Sequence, residues 1–144
     1  MRVYISGKIG EKVISEATRR KFNIIQEALA FEGRDVFNPT DTEWYESLEK
    51  QFPIDRASQP NGDKVSFYAY ALLRDLMVLA TCDAIYMLPD FLDSPGAKAE
   101  YAFAIASGLK VYYDDELYRD GTLRGKSYQE NRFPWGRRKE KKNV

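Results

Sequence analysis

The sequence predicts a single α/β domain in which a parallel sheet of four to five strands is covered by helices on both faces. Short apolar segments alternate with segments of helical periodicity, and glycine, proline or asparagine residues separate them. The length of 144 residues, with 44% hydrophobic and 14% aromatic residues, suits one domain with a core and is too short for two. The same composition excludes a disordered chain.

The first predicted elements are a strand, a helix and a second strand. Residues 3–5 form a short apolar strand that ends in a glycine-bearing turn. Residues 15–31 place apolar side chains at helical spacing, and Gly33 follows at the position where glycine commonly ends a helix. Residues 35–38 form the second strand, after which Pro39 turns the chain out of the sheet.

Residues 40–64 interrupt this alternation as a long excursion of polar and turn residues. Within it we predict only a short helix, over residues 43–50. The excursion also contains scattered aromatic side chains, namely Trp44, Tyr45 and Phe52. Segments of this length without regular structure usually either cover a functional site or are mobile.

The second half of the predicted domain restores the alternation. Residues 65–80 fit a helix, residues 84–88 an apolar strand of the kind that is buried on both faces, and residues 110–113 a fourth strand. Between the last two strands lies a further helix, with Ser94 as its predicted N-cap and Pro95 as its first residue.

This order of elements is flavodoxin-like or Rossmann-like, and in such folds ligands bind beyond the carboxyl ends of the strands. Small and polar residues fall at that edge or at the start of the following helix, whose free N–H groups attract anions such as a phosphate. The predicted ligand-binding residues are Ser6, Gly7, Asn38, Asp90, Ser94 and Gly96.

The composition also excludes several classes of function. The formal net charge of zero argues against binding of nucleic acid by bulk electrostatics. The absence of histidine removes Ser-His-Asp and Cys-His catalysis and zinc sites built on histidine. Cys82 stands alone and no apolar run approaches the length of a membrane span, so we predict a cytoplasmic protein without a membrane partner, metal or redox cofactor.

Glu100 is the most informative residue of the chain. It is a single carboxylate in the apolar run of residues 97–106, which predicts a mostly buried helix. Taking an unpaired charge out of water costs several kcal/mol or shifts the pKa of the group, so ionised glutamate is rare in such a position. Catalysis is one of the few functions that accounts for a carboxylate there.

Four motifs of the chain match a known family in their order. They are Tyr4-Ile5-Ser6-Gly7, Asn38-Pro39, Arg74-Asp75 with Cys82-Asp83-Ala84-Ile85, and the segment Asp93-Ser94-Pro95-Gly96-Ala97-Lys98-Ala99-Glu100. With these motifs the chain resembles the nucleoside 2-deoxyribosyltransferase superfamily, and within it a small branch with the Ser-Pro-Gly-Ala signature. The resemblance covers residues 2–113, with a poor match over residues 40–64. Residues 114–144 form a polar extension with a basic tail outside the resemblance.

The resemblance implies chemistry at the N-glycosidic bond of a deoxynucleoside or its 5′-monophosphate. It implies Glu100 as the nucleophile that attacks the anomeric carbon and forms a covalent glycosyl-enzyme. It also implies Tyr4 as the hydroxyl that orients Glu100, and Asp75 and Asp93 as the acids that handle the leaving base and the sugar hydroxyls. Relatives assemble as dimers or larger homo-oligomers, and either water or a second base accepts the sugar.

Other interpretations stay open at the level of sequence. Glu100 also fits a structural ion pair with Lys98 or a neighbouring subunit, Asp75 a solvated helix residue, Asp93 a turn residue and Tyr4 an ordinary strand aromatic. The whole chain also fits a non-catalytic module that binds or senses nucleotides. A third interpretation is an interaction protein whose basic tail contacts nucleic acid, although charged termini are more often only solvated.

Overall fold

The structure, a computed structural model, describes residues 1–10 and 13–119, and the predicted basic tail lies outside them. In this part of the chain, four strands form one sheet in the order β2-β1-β3-β4, and every neighbouring pair is parallel. The strands are β1 (Arg2–Ser6), β2 (Asp35–Phe37), β3 (Ala84–Met87) and β4 (Lys110–Tyr113). The predicted α/β fold class is confirmed, with the strand number at the lower end of the predicted range.

Helices cover both faces of this sheet. The described α-helices are α1 (Glu16–Phe31), α2 (Thr42–Ala57), α3 (Phe67–Leu79), α4 (Pro95–Ala106) and α5 (Asp115–Arg119). Helix α1 packs on one face through Phe22 and Leu29, whereas α3 and α4 pack against the other face and against each other. None of these described helices is both long and apolar enough to cross a membrane.

Strand β1 lies between β2 and β3, and its side chains alternate between the two faces. Val3 and Ile5 belong to the core beneath α1, and Tyr4 belongs to the core beneath α3 and α4. Ser6 follows Tyr4 with the same orientation because alternate residues of a strand share a face. Two polar side chains of the central strand are therefore directed towards α4.

The chain connections diverge at the carboxyl ends of β1 and β3. The chain leaves β1 to form β2 on one side, and it later returns to form β3 on the other side, where Ser6 pairs with Met87. This order corresponds to the flavodoxin-like sheet, in which the point of divergence opens a crevice for ligands. The crevice of this protein therefore lies beside Ser6.

Two helix ends follow the prediction from sequence. The Ser94 hydroxyl accepts the backbone N–H of Ala97 at 3.1 Å, and Pro95 occupies the first helical position of α4. Gly33 has a φ of 85°, a left-handed conformation that glycine adopts without the steric cost of a Cβ atom. These local signals fix where α4 begins and where α1 ends.

The predicted excursion over residues 40–64 differs from the structure. In place of a short helix over residues 43–50, the structure has the sixteen-residue α2, which begins at an N-cap where Asp41 accepts the backbone N–H of Trp44 at 3.1 Å. Pro53 lies inside α2 and removes one backbone donor, a feature that costs about 3 kcal/mol in a helix interior. Leu48 is the one buried residue of α2. The helix has no continuous apolar stripe, so its sequence lacks the periodicity from which a long helix is predicted.

Candidate active site

Glu100 lies in the second turn of α4, where its side chain faces β1. Only 6% of its surface is exposed. The Tyr4 hydroxyl donates to Oε2 of Glu100 at 2.6 Å, and the Ser6 hydroxyl donates to Oε1 at 2.6 Å. Among the described residues Glu100 forms no ion pair, and Lys98 is exposed on another side of the helix. Two neutral hydroxyl groups of the central strand therefore hold this carboxyl group in place.

The surroundings of Glu100 shift its proton affinity towards neutral pH. Burial raises the pKa of Glu100 from 4.5 to about 7, and the hydrogen bonds from Ser6 and Tyr4 oppose this rise. Burial and the nearby negative charge of Glu100 raise the pKa of Tyr4 well above its usual value of 10.0. Tyr4 therefore stays protonated and remains a donor when Glu100 is ionised.

Asp75 of α3 is the second acid of the site. Its Oδ1 accepts the indole N–H of Trp44 at 2.8 Å, and the carboxyl group faces a cavity that Glu100 also lines. Burial, followed by the negative charge of Glu100, raises the pKa of Asp75 to about 8, while Trp44, Tyr4 and Arg74 oppose the rise. Both acids therefore titrate near neutral pH, and because the negative charge of one disfavours ionisation of the other, the pair passes through a state with one ionised and one protonated carboxyl group.

The cavity at the carboxyl ends of β1 and β3 has a volume of about 580 Å³. Its floor carries Glu100 and Asp75, and the start of α4 closes one side. Apolar and aromatic side chains make up most of the remaining wall, contributed by the turn after β1 and by α2 and α3: Ile9, Ile14, Tyr45, Leu48, Phe67, Tyr68 and Leu72. An apolar cavity with a few convergent polar groups is the usual form of a small-molecule site.

Several of the predicted ligand-binding residues do line this cavity. Gly7, Ser94 and Gly96 form part of its wall, and Ser6 lies directly behind Glu100. A Cβ atom on Gly7 would lie 2.5 Å from Cδ1 of Leu88, so only glycine fits between the turn and the strand end. The backbone N–H of Gly96 has no partner among the described residues. The hydroxyl that caps this helix, that of Ser94, bonds the N–H of Ala97 instead.

The structure does not bring Asp93 or Asp90 to the cavity wall. Asp93 ends the 3₁₀ turn Phe91–Asp93 with its side chain exposed to solvent. Asp90 pairs instead with Lys21 at 2.5 Å and accepts the backbone N–H of Lys8 at 3.0 Å. It fixes the turn after β1, and its carboxylate is thereby occupied.

Asn38 likewise lies outside the cavity wall, although it is buried. Its amide group donates to Asn23 and Gln26 at 2.9 Å each, and its oxygen accepts from the backbone N–H and the hydroxyl of Thr40. These bonds satisfy the whole side chain. Asn38 thus shapes the turn that presents the neighbouring Pro39 to the cavity.

Sequence reasoning missed the contribution of α2 and the start of α3. Trp44 holds Asp75, and Tyr45, Phe67 and Tyr68 line the cavity. The scattered aromatic residues of the excursion were the available indication, because a polar surface segment has little use for them. Among the described residues no three histidine, cysteine, aspartate or glutamate side chains group as metal ligands.

The fold and the site together define an α/β protein with a cavity at the divergence of its strands and two acids on the cavity floor. The chain belongs to the family described as Domain of unknown function (DUF4406), whose model matches residues 1–113. No curated protein matches the chain, and no solved structure matches it.

Proposed function

We propose that this protein acts on the N-glycosidic bond of a nucleoside or nucleoside 5′-monophosphate, with Glu100 as nucleophile and Asp75 as general acid. The observation that supports this most strongly is the pairing of the two acids in one cavity. Glu100 is buried and accepts hydrogen bonds from the hydroxyls of Tyr4 and Ser6, which favour the negative charge on Glu100 and the remaining proton on Asp75. Glycoside cleavage with retention requires such a pair of carboxyl groups with different protonation states.

In the first step, an ionised Oε atom of Glu100 attacks C1′ of the sugar. The C1′–N bond breaks, its electron pair moves to the base, and Asp75 gives its proton to a nitrogen atom of the base. The products are a free base, an ester between Glu100 and C1′, and an ionised Asp75. The low-polarity wall strengthens the interactions that stabilise the oxocarbenium-like transition state.

In the second step, a water molecule attacks C1′ and gives a proton to the Asp75 carboxylate. The ester bond breaks and Glu100 returns to its ionised form, with a free sugar as product. Attack by the N–H of a second base in place of water makes the reaction a transfer. Both outcomes use the same residues in the same protonation states, so the proposal includes hydrolysis and transfer.

The remaining wall fits the two ends of such a substrate. Tyr45, Phe67 and Tyr68 present aromatic surface on which a planar base can pack. The free N–H of Gly96 lies at the N-terminus of the twelve-residue α4, a position that favours a sugar hydroxyl or a 5′-phosphate. These features support the class of substrate and leave the identity of the base open.

We further propose, from the resemblance to the deoxyribosyltransferases, that the chain forms a homo-oligomer. Leu73 and Met77 support this proposal, because they lie one turn apart on α3 and are 59% and 66% exposed. The two side chains form an apolar strip that borders the cavity-lining part of the same helix. A second copy of the chain is the partner proposed for that strip.

The test is chromatographic detection of free base. The wild type, Glu100→Gln and Glu27→Gln, a control on the exposed surface of α1, are each incubated with nucleosides and 5′-monophosphates, with and without an acceptor base. Base release by the wild type and the control, and loss of release in Glu100→Gln, is the expected result. If ligands raise the melting temperature of all three proteins and none releases base, the site binds nucleotides without catalysis and the proposal is overturned.

A further inference from the structure

Trp44 occupies a position that the reaction alone does not explain. We propose that Trp44 is a positioning residue for Asp75, whose indole N–H fixes Oδ1 as an acceptor and so keeps the acidic proton on Oδ2 for delivery to the leaving base. This inference rests on the proposed function and assigns a role to α2, which contributes no reacting group.

The geometry holds the indole ring on several sides. Its N–H lies 2.8 Å from Oδ1 of Asp75. The edge of the ring meets Phe37 at a centroid distance of 5.2 Å, and Phe37 in turn stacks on Tyr4 at 5.4 Å. The Arg74 guanidinium lies 5.9 Å from the centre of the Trp44 ring. A ring held in this way keeps its N–H directed at Asp75.

The position of α2 itself is also fixed. Asp41 caps the helix by accepting the backbone N–H of Trp44. Further along α2, Asp55 accepts a hydrogen bond from the hydroxyl of Tyr70 at 2.7 Å and lies 3.5 Å from Arg74. These two contacts join α2 to α3. The indole donor and its acceptor therefore belong to two helices that side-chain contacts attach to each other.

The chemistry of the indole makes this contact directional. An indole N–H only donates, so the oxygen that it contacts acts as the acceptor in the protonated and in the ionised form of Asp75. A neutral carboxyl group has one acceptor oxygen and one hydroxyl, and occupation of Oδ1 favours the proton on Oδ2. Without the indole donor, the proton can reside on either oxygen, and the position from which it is delivered is no longer fixed. General acid catalysis depends first on such geometry.

The charged and titratable groups around Asp75 predict the direction of a pH effect. Burial and Glu100 of α4 raise the pKa of Asp75, while Trp44 of α2, Tyr4 of β1 and Arg74 of α3 lower it. The indole N–H lowers the pKa because it stabilises the ionised carboxylate. Loss of this donor should therefore raise the pKa of Asp75 and move the alkaline limb of the rate profile to higher pH.

The test compares Trp44→Phe with Phe52→Leu by the pH dependence of kcat/KM. Phe52 packs on Phe67 and Tyr70, so its variant loosens α2 from α3 without touching Asp75. We expect Trp44→Phe to lose about tenfold or more in kcat on ordinary nucleosides and to shift the alkaline limb upwards. A 7-methylated purine is already cationic, so it leaves the sugar without protonation. On a nucleoside with this base, Trp44→Phe should therefore lose little kcat. The Phe52→Leu profile should keep the wild-type alkaline limb.

A folded Trp44→Phe variant with an unchanged alkaline limb would overturn the inference. A measurement on the wild type covers the case in which the variant does not fold: the Trp44 indole ¹⁵N–¹H resonance, distinguished from Trp135 by a Trp135→Phe variant, should shift with pH at the midpoint of Asp75 ionisation. An indole resonance that does not change across the alkaline limb also overturns it. If the wild type releases no base, the proposed function fails, and the indole titration still decides whether Trp44 senses Asp75.

Discussion

Glu100 and Asp75 are two buried carboxyl groups whose pKa values the protein raises towards neutral pH. Both are removed from water, which raises both pKa values, but Glu100 receives two hydroxyl donors and Asp75 is further disfavoured as an anion by the charge of Glu100. The two groups interact, so their titrations belong to the pair. In the proposed mechanism, one group of the pair is ionised as the nucleophile while the other keeps its proton as the general acid.

The first prediction concerns the pH dependence of base release. The proposed mechanism requires ionised Glu100 and protonated Asp75, so kcat/KM should rise through a pKa of about 7 and fall through a pKa of about 8. The resulting bell should lose its alkaline limb in Asp75→Asn, at a rate reduced by about 100-fold or more. Stopped assays across this pH range provide the profile. An Asp75→Asn variant with an intact alkaline limb would assign that limb to another group.

The second prediction concerns stability. The pKa of Glu100 rises from 4.5 to about 7 on folding, so the folded state binds the proton more tightly than the unfolded state. The stabilisation from this proton is complete below pH 4.5 and is lost as pH rises through about 7, at a cost on the order of 3 kcal/mol. Glu100→Gln, which carries no charge, should therefore unfold at higher urea concentration than the wild type at pH 8 and at a similar concentration at pH 5. Equal differences at both pH values would refute this account of the buried charge.

At the scale of elements, two glycines near the cavity each lie close to a neighbouring side chain, but the two side chains differ in their freedom to move. A Cβ atom on Gly7 would meet the buried side chain of Leu88 at 2.5 to 3.1 Å, where neighbouring strands leave no room to move. A Cβ atom on Gly96 would lie 2.8 Å from the hydroxyl of Tyr68, the far end of a side chain that is 55% exposed. Gly7 is therefore required for packing, whereas Gly96 borders the cavity beside a side chain that has room to move.

The third prediction follows from this contrast. Gly7→Ala should destabilise the protein by about 1–3 kcal/mol through overpacking, whereas Gly96→Ala should change stability little because Tyr68 can move away. Gly96→Ala should instead raise the KM of base release by narrowing the approach to the N-terminus of α4. Urea unfolding and steady-state kinetics of the matched pair test both statements. If the two variants are equally destabilised, the distinction between the glycines is wrong.

Elements with local signals could be predicted from the sequence, and those that depend on tertiary contacts could not. The Ser94 cap and the alternation of β1 place Glu100 opposite Tyr4, so this part of the candidate site was within reach. The full length of α2 was not, because Pro53 argues against a helix beyond residue 50 and contacts with α3 stabilise that part of α2. Asp90 was expected in the site from its position after β3, but a lysine far away in sequence, Lys21, engages it.

At the scale of the whole molecule, the position of the site follows from topology. Parallel strands direct their carboxyl ends to one edge, and the divergence of the chain on the two sides of β1 opens the crevice there. Helices α2 and α3 then form one wall of the crevice, so that segments distant in sequence line the cavity together. The sheet alone therefore predicts the location of the site and not its lining.

The fourth prediction concerns assembly. We expect the wild type to sediment as a dimer or a larger homo-oligomer, and Leu73→Glu to shift it towards the monomer, because burial of a new charge in an interface is costly. Ile24→Glu on α1 is the matched control, since Ile24 is 58% exposed and Leu73 is 59% exposed. Sedimentation velocity provides the result. A monomeric wild type would refute the proposed oligomer, and equal effects of the two variants would refute the assignment to α3.

The most direct test of the central claim is to locate the sugar on the protein. A 2′-fluorinated nucleoside with a good leaving group slows both steps, because fluorine destabilises the oxocarbenium-like transition state, and the activated leaving group lets the first step proceed. Intact-mass and peptide analysis of the wild type should then show one added sugar, attached to Glu100, and none in Glu100→Gln. Stoichiometric release of the base with the sugar attached to another residue, or to none, would contradict the assignment of Glu100 as the nucleophile.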